Sequence, residues 1–311
     1  MGRFCTVFCA IGLALAAASG ASASQLVGAN AKHVTLAVNG RGEALVSFTT
    51  RTGTHKHVLA WGAENARLPN PTIPQVHFRV DNAGGWGKYR RLVWPRFANR
   101  CRPYTGPKLV DFVAGCRAPD GSYWALQSWQ RIQPLRGLPA FKPWHMRWEL
   151  HLSHWSGPLA VLDASPNWTY GGRWQGVFGR LTYKGEPVHG YKANTTPDHY
   201  DSYGRYAYID TFDSVWGKGW KRAAAKVTHD PNGGFCYSFV PDRPPPGYPD
   251  RSVRPPGNGK LHRITVMGPG VTPDVQWVGP GLGRYDASRD AAFNRRFDEL
   301  IGRDPVCAPE R

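Results

Sequence analysis

Between Lys32 and Ala63 the chain reads KHVTLAVNGRGEALVSFTTRTGTHKHVLAWGA, and apolar residues return at every second position. Val34, Leu36 and Val38 share one side, as do Ala44, Val46 and Phe48 after the Asn-Gly-Arg-Gly break. In the next run Val58 and Ala60 oppose Leu59 and Trp61. A period of two suits a half-buried strand and cannot form the continuous stripe that a helix needs. Asn-Gly and Gly-containing breaks between such runs are hairpin turns, because glycine and asparagine accept the left-handed backbone that tight turns demand. Only one copy of this unit occurs, so a propeller or solenoid is not supported.

Further strands are expected at 75–80 (QVHFRV), 123–132 (YWALQSWQRI), 147–154 (RWELHLSH) and 158–164 (PLAVLDA). HRITVMG and VQWVG provide the last ones. Residues 81–122 read as irregular, with several glycines and prolines. QPLRGLPAFKPW (133–144) reads as a connection and a domain boundary. PDRPPPGYPDRSVRPPGNG (241–259) is too rich in proline and glycine to pack as a strand and reads as an exposed, semi-extended loop. One helix is predicted in SRDAAFNRRFDELIG. Phe293, Phe297, Leu300 and Ile301 fall at helical spacing, Ser288 caps the start and Gly302 ends it.

The N-terminus carries a targeting pattern. Arg3 precedes the uncharged apolar run FCTVFCAIGLALAAA, and Ala21-Ser22-Ala23 supplies small residues for cleavage after Ala23. That run is short for a membrane span, and no later stretch is long and apolar enough for one. The expected chain is therefore exported, secreted or held in the cell envelope, with a signal peptide at 1–23. An N-terminal β-rich region is placed at 24–140, a β-sandwich domain at 141–283 and a helix with its tail at 284–311. Four cysteines remain beyond residue 23, an even count that reads as two disulfides in an exported chain. Three pairings are open; Cys101–Cys116 and Cys236–Cys307 are preferred, the first closing a short loop and the second tying the tail to the body. The cysteines show no C-x-x-C spacing, which disfavours a zinc ribbon or a thioredoxin-type site.

The net charge is +17, from 39 lysines and arginines against 22 acids. Such a protein adheres to anionic partners such as wall polymers, acidic polysaccharide or lipid head groups. The basic residues read as scattered, with no run of five, and neither a basic helix nor a stacking motif points to nucleic acid.

GRLTYKGEPVHGYKANTTPDHYDSYGRYAYIDT (179–211) carries a strand, a Lys-Gly turn, a Pro-Val-x-Gly element and a later Asp-x-x-Gly-Arg-Tyr turn. Gly185, Pro187, Val188, Gly190, Asp201, Gly204 and Tyr206 hold the pattern. The segment resembles a carboxypeptidase regulatory-like, or transthyretin-like, β-sandwich domain, with Tyr200 where that family usually has threonine. The resemblance implies an antiparallel Ig-like sandwich of about seven strands. It also implies a non-catalytic role in adhesion, scaffolding or glycan binding. Intradiol dioxygenases share the sandwich, but their iron site needs two tyrosines and two histidines. The only His-x-His pair here, His55 and His57, lies far from the motif, and no Glu-x-Trp follows it.

Three clusters are candidate sites. On the 147–154 strand Glu149, His151 and Ser153 share one face, which either positions an acid–base or metal site or is the polar solvent face of a half-buried strand. Asp210 and Asp213, with Asp163 or Glu149, could form a glycosidase carboxylate pair, or be aspartates at turns and loop ends. The chain has 13 tryptophans, most of them expected in the core. Trp216 and Trp220, in WGKGW, are the surface candidates, with Lys218, Lys221 and Arg222 beside them for an anionic ligand. No G-x-S-x-G elbow, helical His-Glu-x-x-His or nucleotide loop is present, so no cofactor or metal is implied. The first expectation is a binding or structural protein gripping an anionic glycan or cell-wall polymer. The second is a secreted carbohydrate-active hydrolase.

Overall fold

The computed structural model describes residues 24–68, 75–130, 147–169, 174–188, 207–214, 216–224, 228–229, 234–239, 259–282 and 286–301. The first part of the chain forms β1 (Gln25–Ala29), β2 (Lys32–Val38), β3 (Ala44–Thr49), β4 (His55–Trp61) and β5 (Arg79–Asp81). A one-turn helix α1 (Trp86–Tyr89) and a 3-10 turn (Trp94–Arg96) precede β6 (Arg102–Pro103), β7 (Phe112–Arg117), β8 (Tyr123–Trp129) and β9 (Glu149–Trp155). Next come β10 (Val161–Thr169), β11 (Trp174–Tyr183), β12 (Glu186–Pro187), β13 (Ala207–Ser214) and β14 (Gly217–Ala224). The chain continues through β15 (Thr228–His229), β16 (Gly234–Phe239), β17 (Leu261–Val266), β18 (Val275–Pro280) and helix α2 (Ala287–Ile301).

These strands build four antiparallel sheets that pack as two pairs. In the first pair, sheet β1-β9-β8-β7-β6 faces sheet β2-β3-β4-β5. Val38, Val46, Phe48, Val58, Trp124, Leu126 and Leu152 fill the space between them. In the second pair, sheet β10-β11-β16-β15 faces sheet β14-β13-β17-β18. Val177, Leu181, Tyr183, Ile209, Ile264 and Val266 form its core. The fold is mainly β, and α2 packs against β10 and β11. Among the described residues no helix is long and apolar enough to cross a membrane.

Alternating residues deliver these cores. On β3, Ala44, Val46 and Phe48 enter the first core together, as their spacing predicts. The Lys184-Gly185 turn joins β11 to β12 with both residues at positive φ, 52° and 85°. Two successive positive φ values give a hairpin turn whose twist matches the strands it links. Val188 N–H then donates to the Leu181 carbonyl at 2.9 Å. The later half of the segment expected to resemble a transthyretin-like domain, including Gly190, Asp201, Gly204 and Tyr206, lies outside the described residues, as does the expected signal segment 1–23.

Several expectations change. Residues 81–122 are less irregular than their glycines and prolines suggest, since they include the six-residue strand β7. The strand expected at 75–80 is confined to Arg79–Asp81. Helix α2 starts at Ala287, one residue ahead of the expected cap Ser288. The connection 133–144 and the loop 241–259, up to Asn258, fall outside the described residues. The strands flanking that connection, β8 and β9, pair along their whole length, and β9 also pairs with β1. The first sheet is therefore built from both sides of the expected boundary. Cys101 and Cys116 form a disulfide across the β6–β7 edge. The Cys236 side chain and Cys307 are outside the described residues.

Candidate functional site

The outer face of the β14-β13-β17-β18 sheet meets the edge of the first sandwich, and a slot of about 240 Å³ opens between them. Trp129, Trp148 and Asp111 come from the first sandwich. Asp210, Trp220, Arg222, Arg263, Thr265 and Gln276 come from the second. Three expected site residues, Asp210, Trp220 and Arg222, are thus brought together.

Strand register sets the centre of the slot. Asp210 on β13 stands directly opposite Arg222 on β14 and Arg263 on β17. Side chains of paired residues project to the same face, so the three form a cross-strand ladder. Arg222 Nε donates to Asp210 Oδ1 at 2.5 Å. Arg263 donates to Oδ2 from Nε at 3.0 Å and from Nη2 at 2.7 Å. Asp210 and Arg222 are wholly buried, whereas the Arg263 side chain keeps about a fifth of its surface in solvent. A buried charge is tolerated only when paired in this way.

Aromatic rings frame the ladder. The Arg263 guanidinium lies 4.4 Å from the Trp220 ring centroid, and Phe212 tilts against the same indole at 5.2 Å. The Arg222 guanidinium lies 4.8 Å from the Tyr208 ring. Trp129 meets Tyr208 edge-on. Trp148 stays half exposed and is the open aromatic wall of the slot. Gln276 Nε2 donates to Thr265 Oγ1 at 3.0 Å, placing an amide and a hydroxyl on the floor.

Asp111 sits at the rim and keeps contact with solvent, but its carboxyl is pushed above the usual carboxylate range. Loss of water around the group inside the slot is the main cause; Arg263 opposes it, and Asp274 and Asp210 add to it.

The other expected residues go elsewhere. Glu149 and His151 do share a face of β9, yet it is not a solvent face, because the whole strand is buried. Ser24 Oγ donates to Asp274 Oδ1 at 2.7 Å and lies 3.1 Å from His151 Nδ1. Trp129 Nε1 donates to Asp274 Oδ2 at 2.7 Å, and Gly268 N–H to Oδ1 at 3.2 Å. Gln127 bonds both the N–H and the carbonyl of Asp274. Glu149 accepts from Arg147 at 2.7 Å and lies 3.3 Å from His151 Nε2. This network covers the polar side of β9 with the 268–274 loop and so fastens the two sandwiches together. Asp163 pairs with Arg296 of α2. Asp213 accepts from Gly219 N–H at 2.9 Å and from Lys260 at 3.2 Å. The Gly219 bond leads in holding its carboxyl below the usual range.

Trp216 is not a surface platform: it packs against the second core. Lys218 is exposed and Lys221 half-buried. His57 stacks on Trp94 at 4.4 Å and bonds Ser47 at 2.8 Å, while His55 meets Thr49. Among the described residues no group of three histidines, cysteines or carboxylates is placed to hold a metal ion.

Arg222, expected beside an anionic ligand, does line the slot, whereas Trp129, Trp148, Arg263, Thr265, Gln276 and Asp111 are slot residues that sequence reasoning missed. One signal was present: Asp210 follows Tyr208 and Ile209, and Arg263 precedes Ile264, so each charge sits beside core-forming strand positions, where a charge needs a partner. No family model, curated protein or solved structure matches the chain.

Proposed function

We propose that the protein is an exported binding protein of the cell envelope or extracellular space that takes one sugar unit of an anionic glycan into the slot. The observation that carries this reading is the convergence of Trp129, Trp148 and Trp220 with an arginine–aspartate ladder, Thr265 and Gln276 around about 240 Å³. Indole faces attract the C–H groups of a sugar ring. Charged and amide groups at fixed positions fit its hydroxyls, and Arg263, with part of its surface in solvent, provides positive charge for a carboxylate. A transthyretin-like arrangement of the second sandwich belongs to the same proposal and rests on the Lys184-Gly185 hairpin with Pro187 and Val188.

The test is saturation-transfer NMR of the exported chain with neutral and uronic-acid oligosaccharides. Saturation of one acidic glycan is expected, with Trp148→Ala weakening it roughly tenfold and leaving the melting temperature unchanged. Absence of saturation with every glycan, or wild-type affinity in Trp148→Ala, overturns the reading.

One observation supports a hydrolase as the second reading. Asp111 and Asp210 share the slot, with Asp111 shifted toward its protonated form and Asp210 held by two arginines. A carboxyl shifted toward its protonated form, sharing a slot with an ion-paired carboxylate, suits acid and base roles on a glycosidic bond. The carboxylates Glu149 and Asp213 have no part in it, being committed to Arg147 and His151 and to Gly219 and Lys260. Reducing ends released by the wild type but not by Asp111→Asn would select this reading; bound glycan recovered intact from both would reject it.

A further inference from the structure

Seven lysines and arginines, and no aspartate or glutamate, fall between Asn82 and Val110. The fold gathers residues 84–100 of this stretch into one ledge on the first sandwich. Gly84 accepts from Val93 N–H at 2.9 Å, closing residues 85–92 into a tight loop. Gly85 sits at φ 106°, and a side chain there would meet Val93 at 2.7 Å, so the close approach depends on glycine. Trp94 stacks on His57 and Lys88 bonds Glu43, which anchors the base of the loop to the sheet.

The outward side of this rigid ledge is both apolar and cationic. Trp86, Leu92 and Trp94 are 55%, 52% and 42% exposed. Arg90, Arg91, Arg96 and Arg100 are exposed around them, and none has an ion-pair partner among the described residues. Arg91, Leu92, Arg96 and Arg100 share one concavity of about 740 Å³ with Arg41. Exposed apolar residues are ordinary when scattered; three within nine residues of an arginine-rich loop mark a contact surface.

The geometry points to this ledge as a docking surface for an anionic lipid bilayer, with Trp86 and Leu92 entering the interface and the arginines holding lipid phosphates. Tryptophan settles at headgroup depth because one end of the indole is apolar and the other donates a hydrogen bond. Guanidinium groups match phosphate oxygens in pairs. Charge alone would equally draw a hydrated polyanion, but such a partner has no use for Leu92 and Trp86. The inference does not depend on the slot.

Flotation of the exported chain with phosphatidylcholine vesicles, with and without phosphatidylglycerol, tests it at low and high salt. Flotation with the anionic vesicles alone is expected, with a blue shift of tryptophan emission. Arg91→Glu with Arg96→Glu weakens partition tenfold or more. Trp86→Ser with Leu92→Ser removes the blue shift and the binding that survives high salt, and circular dichroism verifies that both variants are folded. Trp148→Ala binds vesicles as the wild type does, so failure of the ledge and failure of the slot remain distinguishable. Equal flotation with both vesicle types, or none, overturns the inference. So does wild-type flotation of the serine variant together with competition by soluble polygalacturonate, which would make the ledge a polyanion surface.

Discussion

Asp210 faces an arginine on each side, and that ladder concentrates more electrostatic risk than any other slot feature. Removing the carboxylate in Asp210→Ala leaves Arg222 buried without its counter-charge. A loss of about 3–5 kcal/mol is expected, read as a lowered urea midpoint. Glu43 is a second test at this scale. Burial alone would raise its pKa, but hydrogen bonds from Lys88, Tyr89 and Asn39 outweigh that and bring it down to about 2 from an ordinary 4.5. A lowered carboxylate pKa adds stability that is complete above the unfolded value and is lost as pH falls through the folded one. Wild-type stability should therefore decline between about pH 4.5 and 2, and Glu43→Gln should flatten that decline. At pH 7 the variant should be less stable by about 2 kcal/mol, with part of the shift discounted because Lys88 keeps some surface in solvent and is screened. His154 works in the same direction. Burial against Trp124 lowers its pKa, so its contribution is also lost as pH falls below its ordinary 6.5.

The hairpins carry the local instructions of the fold, and the hairpins were the most readable parts of the chain. Period-two runs placed β2, β3 and β4 to within a residue or two, because adjacent strands need only a turn and an alternating face. Strand β7 escaped notice since its FVAGCR sequence lacks clean alternation and owes its place to pairing with β8 and to the Cys101–Cys116 bridge. The slot was less legible still. Trp129, Asp210 and Gln276 are far apart in sequence, and only the docking of two sandwiches makes them neighbours. The polar face of β9 was misjudged for a related reason: its cover, the 268–274 loop, arrives from more than a hundred residues away. A local prediction follows from the β11–β12 turn. Gly185 sits at φ 85°, so Gly185→Ala should cost about 1 kcal/mol or more, measured as a lower melting temperature. The same change at Gly40, which has neither a positive φ nor a near neighbour, should have little effect.

At the level of the whole molecule, Asp274 is the bolt between the sandwiches. It binds Ser24, Gln127 and Trp129 of the first while lying at the head of β18 in the second. Asp274→Ala should turn one calorimetric unfolding transition into two, each sandwich melting around its own core. A single transition at lower temperature would instead mean that the remaining interface couples them. The slot lies in this interface, so a ligand touching Trp148 and Arg263 together should raise the melting temperature of Asp274→Ala more than that of the wild type.

The contact between Ser24 and Asp274 spans 250 residues. A ribosome releases Ser24 about 250 residues before Asp274. For about half of that interval the first strand lacks its sheet partner, because β9 follows more than a hundred residues later, and Asp274 comes later still. The earliest residues of the described chain are therefore among the last to be locked. Until Asp274 is made, Ser24 and the strand it opens stay slack, available to whatever helper holds them.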